Sequence, residues 1–292
     1  MQTAYLTRQN TLNGAAKTET LSGSEIVIRS LLAEGIKTVF GYPGGAIMPI
    51  YDALYDYNDR LEHILVRHEQ GAIHAAQGFA RVSGKVGVVF ATSGPGATNL
   101  VTGLADALID STPVVCITGQ VFAHLLGSDA FQECDVINIT MPVTKWNFQV
   151  TEASEIAPAL AKAFFIAKSG RPGPVVVDIT KNAQLQKIDF EGCAPCRHLR
   201  SYRPKPIVRK SYVEQAAALI NAAERPFVLF GQGVILGNAE AEFRAFIEKA
   251  DIPAAWTLLG LSALPTAHPL NVGMLGMHGN YGPNVLTNEC DV

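Results

Sequence analysis

The stretch Leu61-Glu62-His63-Ile64-Leu65-Val66-Arg67-His68-Glu69-Gln70-Gly71-Ala72 decides the fold. A short apolar run, Ile64 to Val66, ends in polar and charged residues, and beyond them Ala72, Ala75, Ala76, Phe79 and Ala80 recur at helical spacing. The pattern predicts strand, turn and helix, with Glu69 in the turn. In an open parallel sheet, ligands bind in the crevice beyond the carboxyl ends of the strands, so a carboxylate in that turn is placed for chemistry. The same position suits an acid that favours the positive end of a helix dipole. Spacing alone leaves both readings open, and the neighbouring segments choose between them.

Outward from this stretch the alternation repeats. Ser22 and Glu25 form a capping-box signature for a helix with Ile26, Leu31 and Leu32 on its apolar side, and Gly35 stops it before a strand from Ile36 to Phe40. Tyr42-Pro43-Gly44-Gly45-Ala46 turns into a helix through Tyr55, and Val86 to Ala91 is a strand leading into Thr92-Ser93-Gly94-Pro95-Gly96-Ala97-Thr98-Asn99 and a helix to Asp110. Val114 to Thr118 is the next strand, ending in Gly119-Gln120. A helix from Ile156 to Lys168, the loop Arg171-Pro172-Gly173-Pro174 and a strand from Val175 to Ile179 follow. Strands and helices alternating through short loops specify an α/β fold, a doubly wound parallel sheet with helices on both faces. Each loop that follows a strand falls on one edge of that sheet, so the glycine-rich loops share an edge with Glu69, Gln120 and Lys181.

The domain reading is a loose N-terminal arm over 1–20, a first domain over 21–185, a linker over 186–209 and a second α/β unit over 210–292. In the second unit we expect helix Val213 to Ala223, strand Phe227 to Phe230, the turn Gly231-Gln232-Gly233, a helix across Ala239 to Ala250 and strand Ala254 to Thr257. Its end reads as cut off in mid-fold, with a further strand beginning near Cys290 and no terminal helix.

Composition narrows the function. With 292 residues, 48% hydrophobic and 17% charged, the chain has room for about two ordinary globular domains. A net charge of -3 without long like-charge runs gives no footprint for nucleic acid or an anionic membrane surface. No run approaches the roughly 18 apolar residues of a membrane span. The first twenty residues lack the apolar core of a secretory signal, and the cytoplasm is the default location. Five cysteines, an odd count with Cys116 inside an apolar strand, suit a reduced protein, and Cys193 and Cys196 read as linker residues.

The motifs Gly41-Tyr42-Pro43-Gly44-Gly45-Ala46, Arg67-His68-Glu69-Gln70-Gly71-Ala72, Thr92 to Asn99, Ile117-Thr118-Gly119-Gln120-Val121, Asp129-Ala130-Phe131-Gln132-Glu133 and Ser169 to Pro174 occur in an order and spacing that resembles the catalytic large subunit of acetolactate synthase, a thiamine-diphosphate-dependent family. The resemblance runs from about Ser22 to Val292 and covers about half of such a subunit. It implies a pyrimidine-binding domain and a truncated middle FAD-binding domain. The third domain, which holds the diphosphate and Mg²⁺ through Gly-Asp-Gly and Asn-Asn, has no counterpart here, so the chain alone is expected to be inactive.

By resemblance, Glu69 hydrogen-bonds N1′ of the aminopyrimidine and so promotes proton loss from the thiazolium. A carboxyl group held off bulk water suits that exchange. Gly45 and Gln120 match active-site positions, Pro95 and Asn99 lie in the cofactor-side loop, and Lys181 matches a lysine at the entrance for anionic 2-oxoacids. Arg171, Gly231, Gly233, Thr257, Leu258, Leu275, Gly276, Met277, His278 and Gly279 match FAD-contacting positions. A homodimer with active sites between subunits and a small regulatory subunit are further implications. Departures occur at Thr180 and Asn182, where Pro and Asp are frequent, and at Asn280 to Pro283. Two other readings stay open: a sister 2-oxoacid carboligase, oxidase or decarboxylase sharing the glutamate, and a non-catalytic binding module should the gene end at Val292.

Overall fold

The short strand β1 (Glu19–Ser22) runs directly into helix α1 (Gly23–Ala33), because Ser22 closes the capping box with Glu25. The Ser22 hydroxyl accepts from the Glu25 amide at 3.3 Å while the Glu25 carboxylate accepts from the Ser22 amide at 2.8 Å. The computed structural model describes residues 18–292. The arm read over 1–20 lies mostly outside these residues, and its last two positions, Glu19 and Thr20, belong to β1.

There follow β2 (Thr38–Gly41), α2 (Met48–Tyr55), β3 (Glu62–Leu65), α3 (Glu69–Ser83), β4 (Gly87–Ala91), α4 (Pro95–Thr98), α5 (Val101–Ile109), β5 (Val114–Gln120), α6 (Val136–Thr140), β6 (Trp146–Val150), α7 (Ala153–Lys168), β7 (Val175–Thr180), α8 (Lys181–Leu185) and β8 (Lys187–Phe190). Six strands form one sheet in the order β3-β2-β4-β5-β7-β6, with every neighbouring pair parallel. Period-two alternation sends Val88, Phe90, Val115, Ile117, Val175 and Val177 to one face beneath α1, α2 and α7. It sends Val89, Ala91, Val114, Cys116 and Val176 to the other, beneath α3 and α5. Phe90 and Phe164 are among the fully buried side chains, each contributing about 1.5–3 kcal/mol of burial free energy.

Several elements differ from the sequence reading. The edge strand β6 was not anticipated, because its residues are only half-buried except for Val150 and its apolar run is short. β8 lies inside the stretch read as linker and pairs antiparallel with β1. Leu199 packs on the first core, and the Tyr202 hydroxyl donates to Ser169 O at 2.8 Å, so the chain through Lys205 clusters with the first unit.

The second unit, Pro206–Val292, contains α9 (Lys210–Ala222), β9 (Val228–Phe230), α10 (Gln232–Leu236), α11 (Glu240–Ala250), β10 (Ala254–Trp256), β11 (Asn271–Met274) and α12 (Tyr281–Glu289). Its three strands form a parallel sheet in the order β11-β10-β9 over Phe230, Ile247, Ala254, Ala263 and Leu264. The strand expected near Cys290 is absent from the structure: helix α12 ends at Glu289, and Asp291 and Val292 instead bond Arg225 O and the Phe227 amide at 3.2 and 2.9 Å. Pro283 stands in the first turn of α12, where a proline costs no intrahelical hydrogen bond.

One close approach fixes the edge where the site forms. A Cβ built on Gly119 would lie 2.5 Å from Ala46 O, so β5 and the loop after β2 meet backbone to backbone. Gly119→Ala should therefore destabilise the first unit by about 1–3 kcal/mol in urea unfolding, the usual cost of forcing extra volume into a packed site. Unchanged stability would show that the loop has room to yield.

Candidate active site

Glu69 is the first residue of α3, with extended His68 as the cap whose Nδ1 accepts from the Gln70 amide at 3.1 Å. It therefore satisfies both sequence readings, standing at a helix N-terminus and at the carboxyl edge of the sheet. The residue is only 7% exposed. Its Oε2 accepts from Asn99 Nδ2 at 2.9 Å, and Oε1 has no protein donor among the described residues. Gly96 lets the turn pass this close, since a Cβ there would stand 3.2 Å from Oε1. A carboxylate oxygen that is reached from solvent and has no protein donor among the described residues is open to a donor from a ligand.

Around it the loops interlock. Thr92 Oγ1 accepts from the Ala46 amide at 3.2 Å, and Gln184 Nε2 donates to Ala46 O at 2.9 Å. Gly45 is exposed with open space on its Cβ side, and its carbonyl accepts from Lys181 Nζ at 3.2 Å while the ammonium lies 5.9 Å from the Phe122 ring centre. Glu69, Asn99, Gly45 and Lys181 are thus gathered on one edge. Pro95 is exposed at the start of α4. Gln120 is placed differently: it is 0% exposed, its Nε2 donates to Cys134 O and Asp178 Oδ2 at 3.0 and 3.1 Å, and its Oε1 accepts from the Val121 amide. Arg171 is exposed and caps the end of α5, donating to Ser111 Oγ and Ile109 O at 2.7 Å each. The sequence reading singled out neither Thr92 and Gln184 as braces nor Asp178; for Asp178 the signal was a lone acid in an otherwise apolar strand.

In the second unit the predicted flavin segments converge on the carboxyl edge of the small sheet. The Thr257 amide donates to Phe230 O at 3.0 Å, next to Gly231, whose Cβ position lies 3.0 Å from Thr257 Oγ1. The Leu275 amide donates to Trp256 O at 3.2 Å, and Gly276 takes a left-handed φ of 104° that turns Met277, His278 and Gly279 outward and back. Leu258 and Met277 are highly exposed, Gly233 faces open space, and the buried Trp256 Nε1 lacks a partner among the described residues. Among the described residues, no helix is long and apolar enough to cross a membrane, and no group of three or more His, Cys, Asp or Glu side chains is placed to hold a metal ion.

Residues 21–139 match the N-terminal TPP binding domain of thiamine pyrophosphate enzymes, and residues 213–292 match their central domain. The chain thus carries the N-terminal and central domains of the thiamine pyrophosphate enzymes. The chain is 50% identical over 274 residues to the probable acetolactate synthase large subunit of Methanocaldococcus jannaschii, covering 93% of this chain and 46% of that one. It is 52% identical over 265 residues to the acetolactate synthase large subunit of Corynebacterium glutamicum, covering 91% and 42%. Against the isozyme 3 large subunit of Escherichia coli it is 46% identical over 276 residues, covering 94% and 48%. The chain is a homologue of the acetolactate synthase large subunits, and it spans about half the length of these relatives.

Beside Glu69, the Tyr51 hydroxyl meets His63 Nε2 at 3.1 Å in an edge-on ring contact. Burial, with the Glu69 charge second, pushes the Tyr51 phenol above its ordinary range. Burial likewise holds the His63 imidazole below its usual value, against a hydrogen bond to the Gly41 backbone that raises it. A depressed folded-state value means that His63 supports folding fully above its unfolded value of about 6.5 and loses that support as pH falls toward its folded value. First-unit stability should fall from pH 7 toward pH 5, and His63→Gln should flatten that slope in urea unfolding at a series of pH values. An unchanged slope would contradict the assignment.

Proposed function

We propose that this chain supplies the pyrimidine-binding and flavin-binding parts of an acetolactate synthase. The observation that carries the reading is Glu69, buried at the sheet edge with one oxygen fixed by Asn99 and the other lacking a protein donor. When bound, thiamine diphosphate supplies the electron sink for decarboxylating one 2-oxoacid, pyruvate, and joining its two-carbon remainder to a second, pyruvate or 2-oxobutyrate. Glu69 Oε1 would hold the proton shared with the pyrimidine ring, and the Asn99 bond aims it by immobilising Oε2. Gly45 leaves open space beside its backbone for a flat ring, Gly96 lets Thr92 and Glu69 pack close against the loop after β4, and Pro95 borders that loop. Lys181, anchored on Gly45 O, places a cation where anionic 2-oxoacids enter. Gln120 serves by holding the wall of the site.

FAD is assigned to Gly231, Gly233, Thr257, Leu258 and Leu275 to Gly279 of the second unit, and Arg171 of the first unit is assigned to FAD by resemblance alone. Their fit rests on exposed apolar side chains and open glycine backbone grouped on one sheet edge. Mg²⁺ and the diphosphate are assigned to a third domain, which carries motifs this sequence does not contain. A homodimer with shared active sites, and association with a regulatory subunit, complete the reading.

The test uses an enzyme that joins this chain to a diphosphate-binding domain. Glu69→Gln keeps shape and removes the titrating proton, so kcat for acetolactate should fall roughly 10²- to 10⁴-fold with folding little changed. Near-normal turnover would return Glu69 to a helix-start role. The same preparation should be yellow, or regain activity with added FAD; a colourless enzyme fully active without FAD would remove the flavin assignment.

A further inference from the structure

Asp178 is a carboxylate in the middle of the apolar strand β7, 0% exposed and facing the same side of the sheet as Val176 and Cys116. Among the described residues no cation reaches it. Three neutral donors converge on it from two neighbouring strands: Thr118 Oγ1 on Oδ1 at 2.6 Å, and Gln149 Nε2 and Gln120 Nε2 on Oδ2 at 2.9 and 3.1 Å. Burial raises the pKa of this acid above its ordinary value. The backbone ladder of β5, β6 and β7 needs none of these side chains, and an apolar residue would be the cheaper occupant of the position.

What the network reaches explains its presence. Gln120 spends its second amide proton on Cys134 O, at the far end of the 121–135 excursion that follows β5. There the chain presses on the loop after β4: a Cβ on Gly94 would lie 2.5 Å from Gln132 O, and the Cys134 thiol donates to Gly94 O at 3.8 Å. Gly94, at a left-handed φ of 55°, caps α4, and the residue after α4 is Asn99, which holds Glu69. An unbroken line of contacts therefore runs from Asp178 through Gln120, Cys134, Gln132 and Gly94 to the Asn99–Glu69 bond.

We propose that Asp178 is a positioning residue of the Glu69 site, the acceptor that aims Gln120 at Cys134 and thereby clamps the 132–134 segment against the Gly94 turn. Its value for catalysis rests on the reading of Glu69 given above, but the clamp is a property of this chain alone. The acceptor, not the charge, does the holding. Both glutamines donate to the same oxygen, so an asparagine at 178 presents one oxygen to both and its amide to Thr118, whose hydroxyl turns to accept. A leucine takes the acceptor away from all three donors.

Peptide-resolved hydrogen exchange on this chain, without thiamine diphosphate, tests the clamp. Asp178→Leu and Gln120→Met should each speed exchange of residues 129–136 and 94–99 by about tenfold or more relative to β4 and β5, as local release does. Asp178→Asn should retain wild-type protection. Gln149→Met and Thr118→Val, which touch the same carboxylate but not Cys134, should leave 129–136 as protected as the strands. The double variant Asp178→Leu/Gln120→Met should exchange no faster there than either single variant. Should Asp178→Leu not fold, Gln120→Met decides the matter.

Uniformly faster exchange across the first unit in Asp178→Leu, or wild-type protection of 129–136 in Gln120→Met, would overturn the proposal. Because the readout contains no cofactor, failure of the clamp and failure of the Glu69 reading are separate results.

Discussion

Six strands running one way deliver every loop that follows a strand to a single edge of the sheet, and the site is a consequence of that constraint. The helix after β2 packs on one face, through Ile47, Ile50 and Leu54, while the helices after β3 and β4 pack on the other, through Ala72, Ile73, Leu104 and Ala107. β2 and β4 are neighbours, so the chain leaves this pair of strands toward opposite faces of the sheet. This is the switch point where open α/β sheets bind ligands. Gly45 comes from the loop on one side, Asn99 from the segment on the other, and Glu69 from the start of α3, which follows the adjoining strand β3.

Two buried carboxylates in this unit are treated in opposite ways. Asp178 is saturated with donors and sealed within the sheet, so its hydrogen-bonding capacity is spent on the protein. Glu69 is tied at one oxygen only, at the mouth of the crevice. Its second oxygen stays accessible, so a ligand that enters the edge can donate to it without displacing a protein partner. The glycines at 94, 96 and 119 serve the same end by letting the loops close around the carboxylate without side chains between them.

Much of this was legible in the sequence. The strand-helix alternation showed because central parallel strands, buried on both faces, read as continuous apolar runs such as Val114 to Ile117 and Val175 to Val177. Glu69 stood out because a charged residue closed such a run. The antiparallel pair of β1 and β8 was not legible, since each strand is four residues long and mostly exposed, and its pairing joins positions far apart in sequence. Asn99 was named for its loop, but its bond to Glu69 depends on tertiary placement across 30 residues. Gln120 was read as a site residue from its motif, whereas its side chain turns inward to Asp178, a direction fixed by strand register rather than by local pattern.

The central claim is that Glu69 Oε1 is kept free for the aminopyrimidine ring of thiamine diphosphate. A crystal structure of an enzyme containing this chain, grown with thiamine diphosphate and Mg²⁺, tests it most directly. The account predicts the ring between the loops after β2 and β4, with N1′ within hydrogen-bond distance of Glu69 Oε1 and the Asn99–Glu69 bond intact. A ring bound elsewhere, or Glu69 turned to a protein partner with its Oε1 occupied, would contradict it.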